Sequence, residues 1–533
     1  MPRFLLISDF NAQPLADFLN NPETEPVCEI RLAPFGQVIQ CLLEIAAGKT
    51  ESAEYDGVIV WARPEAIVSG DEIIAAAARV KHLFFVTWCE PYYRRNFGIW
   101  SMRAEGSRLA LMKENAALCG RLAEQPNIFI LNSNSWFAAA GRKAWSPKLW
   151  YLAKIPFSPE VFQAAAEDFK AALRAIQGRS RKVIVVDLDD TLWGGIAGEV
   201  GWENVRLGGH DAIGEAFVDF QKALKALSEA GVVLAIVSKN EEAVALEVID
   251  KNSEMILRRS DFATWRINWT DKAQNIVDIA NELNLDLSSV VYIDDSPAER
   301  NRIRTALPAV AVPEWPQDIF LYPSSLMELP YFDKAAITDE DRQRSSMYVV
   351  DRERSQTKQR FQSVQDWLES LEMEVSVESL SRSNLARAAQ LFNKTNQMNL
   401  ATRRLSETEL LNWAEATGNE LRVFRVSDKF GDYGLTGIVG LELNGGHALI
   451  RDYLLSCRVM GRGVEQLMLA MAIDAARSRG ASEIHAQYIP TSKNAPCLSF
   501  FKDVSKFDCA SDRLFKWLVR EDYPLPHHIK VDK

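Results

Sequence analysis

Short apolar runs alternate with stretches of helical spacing over residues 1–178. Phe4–Ile7, Gly57–Trp61, His82–Thr87 and Asn127–Leu131 read as buried strands, and Pro14–Leu19 and Val161–Ile176 as helices. The pattern repeats from Val183 to Pro330, where strands Val183–Val186, Val232–Val237, Val290–Ile293 and a short Ala309–Val312 are separated by helices Ala212–Ala230, Glu241–Ile249 and Asp271–Leu283. The strands are apolar on both faces, as a covered parallel sheet requires. A charged helical arm, Thr338–Leu371, opens on Thr338-Asp339-Glu340-Asp341, an N-cap with an acidic first turn. A third block, residues 373–520, alternates again. It holds strand Ala448–Leu455, a helix running to Arg479, strand Ile484–Ile489 and a final strand Arg513–Val519.

A chain of 533 residues exceeds a single core, so several domains are expected. With 61 basic and 72 acidic residues the net charge is −11, which argues against a general nucleic-acid binder. No apolar run approaches the roughly 18 residues of a membrane span, and the apolar start Phe4–Ile7 is too short for a signal-peptide core. The seven cysteines (28, 41, 89, 119, 457, 497, 509) form no C-x-x-C pair, which implies reduced thiols in a cytoplasm, mostly packed as small hydrophobes.

The strand Val183–Val186 runs into Asp187-Leu188-Asp189-Asp190-Thr191. Residues two apart face the same side of a strand, so Asp187 and Asp189 are expected to converge at the sheet edge where open α/β sheets bind ligands. Two carboxylates there repel unless a divalent cation sits between them. Phosphoryl chemistry uses both, one to attack phosphorus and one to shuttle a proton. Strand Val232–Val237 ends in Ser238-Lys239-Asn240, whose hydroxyl and amides suit phosphoryl oxygens. Lys272 opens a helix, and Val290–Ile293 ends in Asp294-Asp295, a further metal carboxylate.

This set resembles the haloacid dehalogenase (HAD) superfamily. The resemblance implies Asp187 as nucleophile, Asp189 as acid/base, Ser238 and Lys272 as phosphate holders with Thr191, Lys239 and Asn240 beside them, and Mg²⁺ on Asp187, the Asp189 carbonyl, Asp294 and Asp295. The segments between Thr191 and Ala212, and between Asn240 and Lys272, are too short for cap domains of about 40 residues. Trp193-Gly194-Gly195-Ile196-Ala197-Gly198-Glu199 is expected to form only a flexible flap.

Strand Ala448–Leu455 leads into Ser456-Cys457-Arg458-Val459-Met460-Gly461-Arg462-Gly463, and R-x-x-G-x-G between strand and helix leaves backbone amides to grip a phosphate or pyrophosphate. With Lys493-Asn494-Ala495-Pro496 and Phe500-Phe501 downstream, this order resembles the GNAT acyltransferase fold. That likeness implies a pantetheine site at Arg458, Gly461, Arg462, Gly463 and Asn494. Cys457 stands one residue before the loop, either as a thioester-forming thiolate favoured by Arg458 and a helix amino terminus or as a packed cysteine. Lys394-Thr395-Asn396-Gln397-Met398-Asn399, with Thr402-Arg403-Arg404, lines a substrate channel or caps a helix end. In the first block Ser8-Asp9-Phe10-Asn11 follows the first strand, where an SGNH-type hydrolase carries its nucleophile. No late Asp-x-x-His accompanies it, which points to a non-catalytic scaffold.

Taken together, DLDDTLWGG (187–195), SKN (238–240), DDSPAER (294–300), KTNQMN (394–399) and SCRVMGRG (456–463) are similar to the FkbH-like family over essentially the whole chain. The resemblance implies a three-domain α/β protein. A degenerate SGNH-like α/β domain spans 1–178, a capless HAD-like Rossmannoid domain with a parallel sheet 179–335, a helical linker 336–372, and a GNAT-like α+β domain 373–533. It further implies that 1,3-bisphosphoglycerate is dephosphorylated and its glyceryl unit loaded onto a holo acyl carrier protein for polyketide or related pathways, without nucleic acid or membrane. Relatives often carry cysteine at the positions of Val183 and Val237, and Asn at Asp190, and both cysteines are absent here. The alternatives are a small-molecule phosphatase fused to a coenzyme A-dependent acetyltransferase, and a non-enzymatic scaffold that binds a carrier protein.

Overall fold

A computed structural model describes residues 1–49, 55–67, 69–89, 97–209, 211–335, 361, 363–444, 446–491 and 493–532. They fall into two compact units, Met1–Ile176 and Gln177–Lys533. The expected cap Thr338–Asp341 and most of the charged arm lie outside the described residues. Of that arm, Val364–Ser370 is helical, with the Ser363 side chain accepting from the Gln365 amide.

The first unit is built on five parallel strands, β1 (Arg3–Ser8), β2 (Glu29–Leu32), β3 (Gly57–Trp61), β4 (His82–Val86) and β5 (Ile128–Leu131), in the order β2-β1-β3-β4-β5. Alternate residues feed two cores: Phe4, Leu6, Ile59, Trp61 and Phe84 on one face, Leu5, Ile7, Val58, Val60 and Phe85 on the other. Continuous apolar runs are what such two-sided burial demands.

The second unit contains two sheets. β6 (Val183–Val186), β7 (Val233–Ser238), β8 (Phe262–Ile267) and β9 (Val290–Ile293) form a parallel sheet in the order β8-β7-β6-β9. β8 occupies a stretch that the periodicity assigns to no element. Its Phe-Ala-Thr-Trp-Arg-Ile sequence lies on the sheet edge, where only one flank is covered and the apolar run is broken. The segment between Asn240 and Lys272 therefore belongs to the sheet and is not an insertion. The short strand expected at Ala309–Val312 is reduced to a single bridge, Val291 to Ala311. The glycine-rich stretch after Thr191 is packed, unlike the free flap expected. Trp193 is wholly buried, Ala197, Val205 and Leu207 join the core, and Gly194 and Arg206 exchange both backbone hydrogen bonds at 3.0 and 2.9 Å.

The remaining sheet comprises β10 (Met373–Ser379), β11 (Met398–Asn399), β12 (Asn419–Asp428), β13 (Gly431–Asn444), β14 (His447–Leu455), β15 (Glu483–Gln487), β16 (Asp508–Ser511), β17 (Leu514–Leu518) and β18 (Ile529–Asp532), with main order β16-β17-β15-β14-β13-β12-β10-β18. Only β14–β15 and β10–β18 pair in parallel. The simple alternation read from sequence thus gives way to an antiparallel meander, and helix Val464–Ser478, which connects β14 to β15, packs on it through Leu467, Met468, Met471 and Ala475. No helix among the described residues is long and apolar enough to cross a membrane. No disulfide links the cysteines: Cys28, Cys41 and Cys497 are buried, Cys89, Cys119 and Cys457 partly so, and Cys509 is exposed.

Candidate active site

Because Val186 is level with Ile236 and with Ile293, Asp187 and Asp294, which follow β6 and β9, and Ser238, which ends β7, lie at one carboxyl edge of the sheet. Asp187 and Asp294 are buried there, and Lys272, the first residue of helix Lys272–Glu282, reaches between them. Its Nζ lies 2.9 Å from Asp187 Oδ2 and 2.7 Å from Asp294 Oδ2. Asp294 is fully partnered: the Ser296 amide donates to Oδ1 at 2.8 Å, and the buried Tyr292 hydroxyl donates to Oδ2. Asp187 is not. Its Oδ1 is buried without a partner, a state that costs about 1–3 kcal/mol for a polar atom.

That orphaned oxygen has a ready explanation. Oxygens of Asp187, Asp294 and Asp295 lie within 4.8 Å of one another, three hard donors suited to a divalent cation. Against three carboxylates the pocket supplies one ammonium, and the electrostatics follow. Burial, aided by the charge of Asp294 and opposed by Lys272, pushes Asp187 up to about 7. Burial and Asp294 likewise raise Asp295. Burial alone would lower Lys272, but Asp187 and Asp294 more than offset it and hold the ammonium above its usual value. A second group of possible ligands, His447, Glu483 and His485, lies on the third sheet and is more exposed than the acidic cluster, and Lys516 stands opposite His485 there.

Asp189 is placed differently from the expectation of a cation held between two strand-tip carboxylates. Asp190 takes a left-handed conformation, φ 54°, and the chain folds back. Asp189 Oδ1 then accepts from Trp193 Nε1 at 2.9 Å and the Ala197 amide at 3.0 Å, and Oδ2 from Asn240 Nδ2 at 2.9 Å. Its side chain is absent from the acidic cluster. Burial, the largest influence, raises its pKa despite those donors, which suits a group that gives and takes a proton.

Of the expected phosphate holders, Lys272 pairs with Asp187, and Ser238, buried at the end of β7, acts with it to lower the Asp187 pKa. The others are engaged elsewhere. Thr191 Oγ1 donates to Asp295 Oδ1 at 3.1 Å and accepts from the Asp295 amide at 3.2 Å, Lys239 pairs with Glu299 at 2.7 Å, and Asn240 holds Asp189. Three contributors escaped the sequence reading. Tyr292 was legible in principle, since it stands two residues before Asp294 on the same side of β9. Trp193 lay inside the stretch taken for a flap. Arg300, buried in helix Pro297–Ala306, donates to the carbonyls of Asp294 and Asp295 at 2.8 and 2.7 Å, and nothing in its local sequence separates it from a solvated arginine.

In the first unit Ser8 is spent on a local turn, donating to the Phe10 carbonyl at 3.0 Å and accepting from its amide at 3.1 Å. The unit's one histidine, His82, pairs with Gly57, which pairs with Phe4. It thus stands near the opposite end of the sheet from Ser8, on the order of 13 Å along the strands.

The glycine-rich loop of the third sheet departs from expectation. Gly461 and Gly463 adopt φ 74° and 87°, and Gly463 caps helix Val464–Ser478. The loop amides are not left free: Gly461 donates its N–H to the buried carboxylate of Glu465. Arg462 bonds the Tyr433 hydroxyl with its guanidinium 5.1 Å over that ring, and Arg458 Nε donates to Ser456 Oγ at 3.3 Å. Asn494, expected to contact pantetheine, is wholly buried: its Oδ1 accepts from the Tyr488 hydroxyl and the Thr491 amide, both at 2.7 Å, and its Nδ2 donates to the carbonyls of Asn399 and Ile489, both at 2.9 Å. It pins two loops. Asn399 is equally inward, donating to the Thr395 carbonyl at 3.0 Å and accepting from the Thr402 amide at 2.7 Å, so this part of the 394–399 segment caps a helix end. Cys457 is partly exposed, and its carbonyl accepts from Asn284 Nδ2 at 3.2 Å. Asn284 follows the far end of the helix that Lys272 begins, so Cys457 and the acidic cluster are separated by something on the order of 15 Å.

No protein-family model matches the chain, and no curated protein does. Among solved structures, it is similar to the N-terminal part of the protein BF1531 from Bacteroides fragilis, which contains a phosphatase domain and was crystallised with Mg: identity 28%, TM-score 0.59, covering 63% of this chain and 95% of that one. The ribosomal-protein-S18-alanine N-acetyltransferase of Escherichia coli matches at 11% identity and TM-score 0.21, over 27% of this chain and 94% of that one. An IAA acetyltransferase from Bacillus cereus matches at 16% and 0.17, over 22% and 68%. The third region's fold rests on its own strand order, with a parallel β14–β15 step following a glycine-rich loop and helix in an otherwise antiparallel sheet. The chain is thus a multi-domain α/β protein with a capless HAD-like parallel sheet and a further, largely antiparallel sheet.

Proposed function

We propose that this chain is a magnesium-dependent, FkbH-like enzyme that removes phosphate from 1,3-bisphosphoglycerate and transfers the glyceryl unit to the phosphopantetheine thiol of an acyl carrier protein. The observation that carries the reading is the buried Asp187–Lys272–Asp294 cluster with Asp187 Oδ1 left unpartnered. Asp187, Asp294, Asp295 and the Asp189 carbonyl would hold Mg²⁺, in keeping with the magnesium in the Bacteroides protein. When bound, the ion neutralises charge on the phosphoryl oxygens.

The chain's own groups account for the remainder. A carboxylate oxygen of Asp187 attacks phosphorus, the bond from phosphorus to the leaving oxygen breaks, and Asp189 gives that oxygen a proton. Asp189 then takes a proton from the water that releases phosphate from Asp187. Ser238 and Lys272 hold the phosphoryl oxygens. An acyl phosphate is already activated, so the Cys457 thiolate attacks its carbonyl carbon, expels phosphate and forms a thioester, which passes to the carrier thiol as Cys457 is regenerated. On this reading the work is divided among a scaffold (1–178), a phosphoryl domain (179–335), a linker (336–372) and an acyl-transfer domain (373–533), in a reducing cytoplasm.

The test combines the protein, Mg²⁺, 1,3-bisphosphoglycerate and a holo carrier protein, with intact mass as readout. A glyceryl adduct on the carrier and released phosphate are expected, and Asp187→Asn should cut hydrolysis of the phosphomonoester by roughly 10³-fold or more while leaving the phosphate that Cys457 expels from the acyl phosphate. Phosphate release with the carrier unmodified would reduce the reading to a phosphatase, and no turnover at all would remove it.

A further inference from the structure

In the acyl-transfer reading, the turn between β14 and helix Val464–Ser478 is where a coenzyme A diphosphate would seat, on backbone N–H groups at a helix amino terminus. Two features already fill that seat. Glu465, in the first turn of the helix, folds its carboxylate back onto the loop, where it accepts from the Gly461 amide and is only 5% exposed. Burial is the larger influence on this carboxyl and raises its pKa, and the backbone N–H groups of Gly461, Glu465 and Gly463 act in the opposite direction. The segment before β18 covers the other side. His528 Nε2 lies 2.8 Å from the Arg462 carbonyl, and a side chain at Gly463 would meet the His528 ring at 3.0 Å and Pro526 at 3.3 Å. The loop's own arginine, Arg462, is turned to Tyr433. A diphosphate entering here meets an anion bound to its donors and a ring over its path.

We infer that Glu465, backed by Pro526 and His528, excludes the diphosphate of coenzyme A, so that the thiol served by this domain is a pantetheine arm without a nucleotide, borne by a protein. The inference rests on the acyl-transfer reading, and it identifies the residue that separates a carrier-borne thiol from free coenzyme A. No bond is made or broken by Glu465. It is a specificity residue.

Calorimetric titration of coenzyme A into the full-length protein tests it. The wild type should show no saturable binding up to about 1 mM. Glu465→Ser, which frees the amides, should bind at least about tenfold more tightly than the wild type, and Glu465→Gln, which keeps an acceptor for Gly461 but removes the charge, should shift the same way by less. Micromolar binding by the wild type overturns the inference, as does unchanged affinity in a folded Glu465→Ser protein, or in Glu465→Gln should the serine variant not fold. Carrier loading by a wild type that also binds coenzyme A would sink this inference alone. Absent loading with absent coenzyme A binding would sink the proposed function alone.

Discussion

Asp187 has two oxygens in different circumstances, one held by Lys272 and one with no partner. A buried carboxylate so placed competes for protons with any cation, and burial raises Asp187 to about 7. A raised carboxyl pKa means protonation is favoured below it, so Mg²⁺ affinity should fall as pH drops through that region and level off above it. Isothermal titration of Mg²⁺ between about pH 6 and pH 8, roughly one unit either side, reads this directly, and a flat profile would contradict it. Tyr292 gives a second test. Its hydroxyl donates to Asp294 Oδ2, which Lys272 also holds, so Tyr292→Phe should leave the fold intact and weaken Mg²⁺ binding or turnover by about 10- to 100-fold, the usual effect of removing a partner from a ligating carboxylate. The strand-tip aspartates, the serine and the lysine were legible because each ends a strand or starts a helix, where periodicity changes. Arg300 and the inward turn of Asn494 were not, because their roles are set by contacts made after the chain has folded.

The stretch from Leu192 to Leu207 shows how an element can be misread. Its glycines suggest looseness, yet Trp193 is fully buried against the core and donates to Asp189. Gly194 serves close approach instead, since a side chain there would meet Phe217 at 3.0 Å and Arg206 at 3.1 Å, and Gly195 and Gly201 take left-handed turns at φ 91° and 78°. Trp193→Ala should cost about 3–5 kcal/mol in denaturant unfolding. Trp193→Phe keeps most of the packing and loses the hydrogen bond, so it should cost less in stability while slowing phosphate release. Equal effects of the two variants on turnover would show that packing alone matters. β8 escaped for the complementary reason: an edge strand needs no unbroken apolar run. The β12–β13 hairpin of the third sheet was likewise hidden: it is covered on both faces, by Phe424, Val426, Val439 and Leu441 on one side and Leu421, Val423, Leu435 and Ile438 on the other, but Gly434, Gly437 and Gly440 interrupt the apolar run.

Across the second unit, the sheet that carries the acidic cluster and the sheet that carries Cys457 touch through the segment 284–288. Asn284 bonds the Cys457 carbonyl, and Lys493 lies 3.0 Å from Ser288 Oγ and 3.5 Å from Asp286. The acidic cluster and the thiol are thus at opposite ends of one helix, which on the proposed function makes them separate sites. Cys457→Ala should therefore abolish carrier acylation and the phosphate expelled with it, while leaving Mg²⁺-dependent hydrolysis of the phosphomonoester at the wild-type rate. Loading that survives the substitution would remove Cys457 from the path. The phosphoryl site presupposes that the buried acids bind a cation. The most direct measurement is a crystal soaked in Mn²⁺, with anomalous scattering recorded at the manganese edge. The account predicts one peak about 2.1 Å from Asp187 Oδ1, with Asp294 or Asp295 as a second ligand. A pocket without a peak at saturating Mn²⁺, or a peak that leaves Asp187 Oδ1 unliganded, would contradict it.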